Sequence, residues 1–96
     1  MAKVNMGLQV LPYVSEEKLY SVVDKVIDYI DTCQVKYQVG PMETTLEGEL
    51  DDLLEIVKKV QEICTNAGAS RVVSIIKIDF KKTGVSMDEK VEKYQK

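Results

Sequence analysis

The chain has 96 residues, which suits one domain with a thin core. Hydrophobic residues make up 45% and charged residues 30%, a balance that fits a folded globular protein and argues against disorder. The net charge of -3, without a dense basic patch, disfavours nucleic acid as a partner, and the absence of histidine excludes a histidine base, a Ser-His-Asp triad and the usual Cys/His zinc site.

Val4, Met6, Leu8 and Val10 alternate with Asn5, Gly7, Gln9 and Leu11. This period of two predicts a first strand, stopped by Pro12, which has no N–H to donate. The opening Met-Ala-Lys-Val-Asn-Met leads straight into that strand, with no apolar signal region behind a basic start, and no apolar run approaches transmembrane length. A soluble cytoplasmic protein with no membrane contact is expected.

Ser15 is the N-cap candidate of a first helix, followed by Glu16 and Glu17 at the positive end of its dipole. Leu19, Val22, Val23, Val26, Ile27 and Ile30 recur at three- and four-residue spacing and form one apolar face. The helix is predicted over 16–32. Val35, Tyr37 and Val39 mark a second strand, Gly40-Pro41 a turn, and 44–50 a third strand, so these two strands form an antiparallel hairpin.

Asp51 and Asp52 start a second helix. Its apolar face is Leu53, Leu54, Ile56, Val57, Val60, Ile63 and Cys64, and Gly68 is its left-handed cap. Arg71 to Phe80 is the strongest strand, apolar on both faces, which predicts cover on both sides. A short helical extension follows over 86–95, capped by Ser86. Cys33 and Cys64 are far apart in sequence and form no CxxC pair, so they read as two reduced, buried thiols.

The order β-α-β-β-α-β is the split βαβ, or ferredoxin-like, arrangement of the α+β class. It places two helices on one face of a four-stranded antiparallel sheet, with the first and third strands central, in a single domain spanning 1–96. Alternation then puts Asn5, Gln9, Thr45 and Glu47 on the open face among apolar neighbours. A buried carboxylate there needs a partner, which could be Lys77 or a ligand that donates hydrogen bonds. The chain has no GxGxxG, P-loop or HExxH.

The stretch Tyr37-Gln38-Val39-Gly40-Pro41-Met42-Glu43-Thr44-Thr45-Leu46-Glu47-Gly48-Glu49 resembles the hairpin signature of the small thiamine-binding protein family. Gly68 to Asp79 is similar to that family's final strand. Thr44 and Glu47 fall on the family's Thr and Glu positions, and Glu43 stands where the family usually has Gly. The resemblance implies ferredoxin-like subunits that pair through their sheets into dimers and tetramers. It also implies binding of thiamine, or of its hydroxymethylpyrimidine part, without catalysis and without a catalytic cofactor.

An aminopyrimidine offers a donor amine that Glu47 could accept, with Thr44, Thr45 or Gln9 supplying neutral hydrogen bonds. Tyr37 could offer an aromatic face to a thiazolium cation. The expected ligand-binding set is therefore Gln9, Tyr37, Thr44, Thr45 and Glu47. Each has a plainer reading: Tyr37 as a core or interface aromatic, the threonines as ordinary strand residues, and Glu47 as solvated or paired to Lys77. Two other functions compete. One is an oligomeric structural or interaction protein with no small-molecule ligand; the other is a small enzyme using Glu47 and Glu49.

Overall fold

The structure is a computed structural model that describes residues 2–95. Met1 and Lys96, the ends of the expected domain, lie outside the described residues. The elements in chain order are β1 (Val4–Pro12), α1 (Glu16–Asp31), β2 (Lys36–Val39), β3 (Thr44–Gly48), α2 (Leu50–Asn66), β4 (Val72–Asp79) and α3 (Met87–Val91). A single 3-10 turn, Glu92–Tyr94, follows α3. The strands form one sheet in the order β2-β3-β1-β4, with every neighbouring pair antiparallel. This is the expected ferredoxin-like α+β arrangement with β1 and β3 in the middle.

Cross-strand partners share a face of the sheet, so the register sorts the side chains into rows. On the helix side one row is Tyr37, Leu46, Met6 and Ile78, and the next is Val39, Thr44, Leu8 and Ile76. Val22, Val26 and Ile30 of α1 and Leu53, Ile56, Val60 and Cys64 of α2 pack onto the centre of these rows. Met6, Ile30, Leu46 and Leu53 are fully buried, and burial of each such side chain contributes roughly 1.5–3 kcal/mol. Leu54, expected on the apolar face of α2, is exposed instead. It lies about 100° around the helix from Leu53, at the margin of the stripe.

The ends of the helices follow local rules with some exceptions. Ser15 is the N-cap of α1, but its hydroxyl makes no cap hydrogen bond. The second helix starts at Leu50, just before the expected acidic pair, and takes Glu49 as its N-cap. Strand β3 therefore stops at Gly48. Gly68, with φ +103°, supplies the left-handed turn after α2, where a side chain would be strained.

Strand β4 is not covered on both faces within this chain. It lies at the sheet edge, and only Val72, Val73 and Ser74 are half-buried. Ile75, Ile76 and Ile78 are exposed. The reason is geometric: α2 packs over the centre of the sheet and reaches β4 at Ser74, whose hydroxyl donates to Gln61 Oε1 at 3.2 Å. Beyond β4, Gly84 at φ +97° turns the chain back, and the Val85 N–H donates to the Lys3 carbonyl. Helix α3 is thereby carried onto the open face of its own sheet.

Candidate functional site

Two polar rows cross the open face. One reads Lys36, Glu47, Asn5 and Asp79, and the other Gln38, Thr45, Gly7 and Lys77. Helix α3 folds over the end of these rows and forms one wall of a solvent-open cavity of about 360 Å³. Asn5, Thr45, Gln38, Glu43, Lys77 and Lys90 contribute to its wall. Three contacts tie α3 down. Glu47 Oε1 accepts the Met87 N–H at 2.7 Å, Lys36 pairs with Asp88, and Lys90 pairs with Asp79. The Ser86 hydroxyl caps the helix by accepting the Glu89 N–H at 3.3 Å, as its sequence position suggests.

Glu47 is anchored twice, because the same Oε1 accepts from Asn5 Nδ2 at 3.0 Å. Asn5 is 5% exposed. Its amide must present nitrogen, not oxygen, to a carboxylate, and this leaves Oδ1 buried and without a hydrogen-bond donor among the described residues. An orphaned buried carbonyl is costly, and a donor brought into the cavity would relieve it. Lys77, expected as a partner of Glu47, pairs with Glu43 at 3.2 Å instead.

Glu43 reaches the open face from the β2–β3 turn. Gly40 N–H donates to the Glu43 carbonyl at 2.9 Å, closing that turn. Among the described residues other than glycine, Gln34 is the one with positive φ, so Glu43 occupies its position without a left-handed backbone. Its carboxylate lies over Gly7: a Cβ on Gly7 would come within 2.8 Å of Glu43 Oε2.

The expected ligand-binding residues are divided by the sheet. Thr45 lines the open-face cavity, and Glu47 stands behind it, holding Asn5. Gln9 also lies on the open-face register, opposite Ile75, and borders a second cavity of about 230 Å³ at the α1 and β2–β3 turn end of the molecule. Thr44 is buried on the helix side and borders that same second cavity. Tyr37 is on the helix side too, and its hydroxyl donates to Asp31 Oδ1 at 2.8 Å. That bond, more than burial, raises the Tyr37 pKa. Lys36 is likewise raised, chiefly by its bond to Asp88.

Sequence reading did not select Gln38, Glu43, Lys77 or Lys90 as site residues. Alternation alone could have placed Gln38 and Lys77 in the Thr45 row. Lys90 arrives only through the fold-back of α3, which no local pattern announces. Among the described residues no group of three His, Cys, Asp or Glu side chains could hold a metal ion. No helix among them is long and apolar enough to cross a membrane.

Comparison with known proteins places this architecture. The profile of the family described as thiamine-binding protein matches residues 6–95. The chain belongs to that family. A UPF0045 protein of Clostridium perfringens is 64% identical over 95 residues, which cover 99% of this chain and 100% of the relative. A solved structure from Bacillus cereus, described as a domain of unknown function, superposes with a TM-score of 0.92 at 49% identity, covering 98% of this chain and 91% of the other. One from Thermotoga maritima, labelled a thiamine biosynthesis/salvage protein, superposes with a TM-score of 0.90 at 36% identity, covering 97% and 99%.

Proposed function

We propose that this chain is a non-catalytic binder of thiamine, or of its hydroxymethylpyrimidine part, acting as a cytoplasmic oligomer. The observation that carries the reading is the orphaned Asn5 Oδ1 beside the open-face cavity, in a member of the thiamine-binding protein family. An exocyclic pyrimidine amine is a donor of the kind that oxygen lacks. Thr45 and Gln38 can donate to ring nitrogens, and Glu47 holds the Asn5 amide in the accepting orientation. The cavity volume is within the usual range for a small-ligand site. The two cysteines are free, one half-buried and one buried, which suits a reducing compartment.

The exposed isoleucines of β4 and its unpaired outer edge support self-association. The same strip also favours the second reading, an assembly protein with no ligand. Calorimetric titration separates the two. Thiamine or hydroxymethylpyrimidine is expected to bind with measurable heat, and Thr45→Val to weaken binding about tenfold, the loss of one polar contact. No heat and no thermal stabilisation at about 1 mM of either ligand would overturn the binding reading.

A further inference from the structure

The charges around the open-face cavity are paired in a pattern that discriminates between ligands. Lys77 is matched by Glu43, Lys90 by Asp79 and Lys36 by Asp88. Glu47, by contrast, is satisfied by neutral donors, the Asn5 amide and the Met87 N–H. No lysine of this group is left over to meet a phosphate, and the balance of the group is one negative charge. A cationic ligand suits such a site, and a phosphorylated one does not.

Glu43 is the movable part of the pattern. It comes from a turn, not a strand, and lies across the sheet only because Gly7 has no side chain. A Cβ at Gly7 would meet Oε2 at 2.8 Å and Cδ at 3.2 Å on Glu43, and Cε of Lys77 at 3.2 Å. The carboxylate is about one-third exposed and the Lys77 side chain 70% exposed. Lys77 pairs with Oε1 of Glu43, which leaves Oε2, the oxygen lying over Gly7, to face a ligand cation while Lys77 stays matched.

We infer that Glu43, seated over Gly7 and paired to Lys77, is the specificity-determining residue that makes the cavity accept a thiazolium cation and reject its phosphate ester. This rests on the proposal that the open-face cavity binds thiamine. Glu43 offers the carboxylate that a thiazolium ring needs, and it neutralises the lysine that a phosphate needs. Without that carboxylate, Lys77 becomes a free cation at the cavity wall.

The test is calorimetric titration of the wild-type protein, Glu43→Gln and Gly7→Ala with thiamine and with thiamine monophosphate, after thermal melting has shown each protein folded. The wild type is expected to prefer thiamine. Glu43→Gln is expected to weaken thiamine about tenfold and to tighten the monophosphate, so that the preference is lost or reversed. Gly7→Ala, which pushes the carboxylate off the sheet, is expected to move the ratio the same way. If Gly7→Ala does not fold, Glu43→Gln decides alone. Binding by the wild type with an unchanged ratio in Glu43→Gln would overturn the role of Glu43 and leave the binding reading standing. Failure of the wild type to bind either compound would overturn both.

Discussion

At Glu47 one carboxylate oxygen joins three parts of the molecule: β3, which carries it, β1 through the Asn5 amide, and α3 through the Met87 N–H. Strand alternation marked this residue because a carboxylate on the open face among apolar neighbours needs a partner. Its partners are the Asn5 amide of β1 and the Met87 N–H at the start of α3. Removing the acceptor strands a donor on Asn5 and another on Met87, and each buried unmet donor costs about 1–3 kcal/mol. Glu47→Ala is therefore expected to release α3, read as faster hydrogen exchange at the Met87 amide together with a lower denaturant midpoint. Glu47→Gln keeps an accepting oxygen and should retain more of that protection. Equal exchange at Met87 in Glu47→Ala and the wild type would contradict the anchoring role.

The elements are secured at their margins by groups that must keep their protons. Tyr37 of β2 donates to Asp31 at the end of α1, and Lys36 of the same strand pairs with Asp88 of α3. Both bonds raise the donor's pKa above its ordinary value of 10.0 or 10.5. Burial pushes the Cys64 thiol up from 9.0, and burial is also the leading cause of the rise at Tyr29. Each of these groups holds its proton more tightly folded than unfolded. Their contribution is thus complete below the unfolded values and is lost as pH rises through the folded ones. Stability is expected to fall progressively above about pH 9, the region where the unfolded thiol titrates first. Urea unfolding across that range would show it, and Tyr37→Phe should make the slope shallower above about pH 10. A flat profile in the wild type would count against these bonds being formed in solution.

Over the whole molecule, the asymmetry of the sheet decides what is left to solvent. Strands β1 and β3 are central and covered by both helices, whereas β4 is an edge whose lower half carries exposed Ile75, Ile76 and Ile78. A long apolar edge is a pairing surface for another chain unless something blunts it. If the protein assembles through this strand, Ile75→Lys combined with Ile78→Lys should shift the mass seen by light scattering to that of the single chain while preserving the circular dichroism spectrum. An unchanged mass would place the interface elsewhere. Such a separation would also show whether the open-face cavity, lined in one chain by β1, β2, β3, β4 and α3, has the proposed thiamine affinity without assembly.

Much of this was legible in the residues themselves. The period of two in Val4–Val10, the three- and four-residue spacing of Leu19–Ile30, the turn at Gly40-Pro41 and the left-handed cap at Gly68 are local patterns. They determine element order, and element order with right-handed crossovers determines the topology. The same alternation placed Asn5, Thr45 and Glu47 on one face, because in a strand the side-chain direction is a property of sequence parity. The partners were a matter of tertiary structure. That Glu47 bonds Met87, that Glu43 takes Lys77 across Gly7, and that Tyr37 turns to Asp31 depend on registers between strands and on the fold-back after Gly84. The first of those pairings joins residues 40 positions apart. Their energies arise only when the chain has closed, so no local pattern records them, and the cavity on the open face exists only through them.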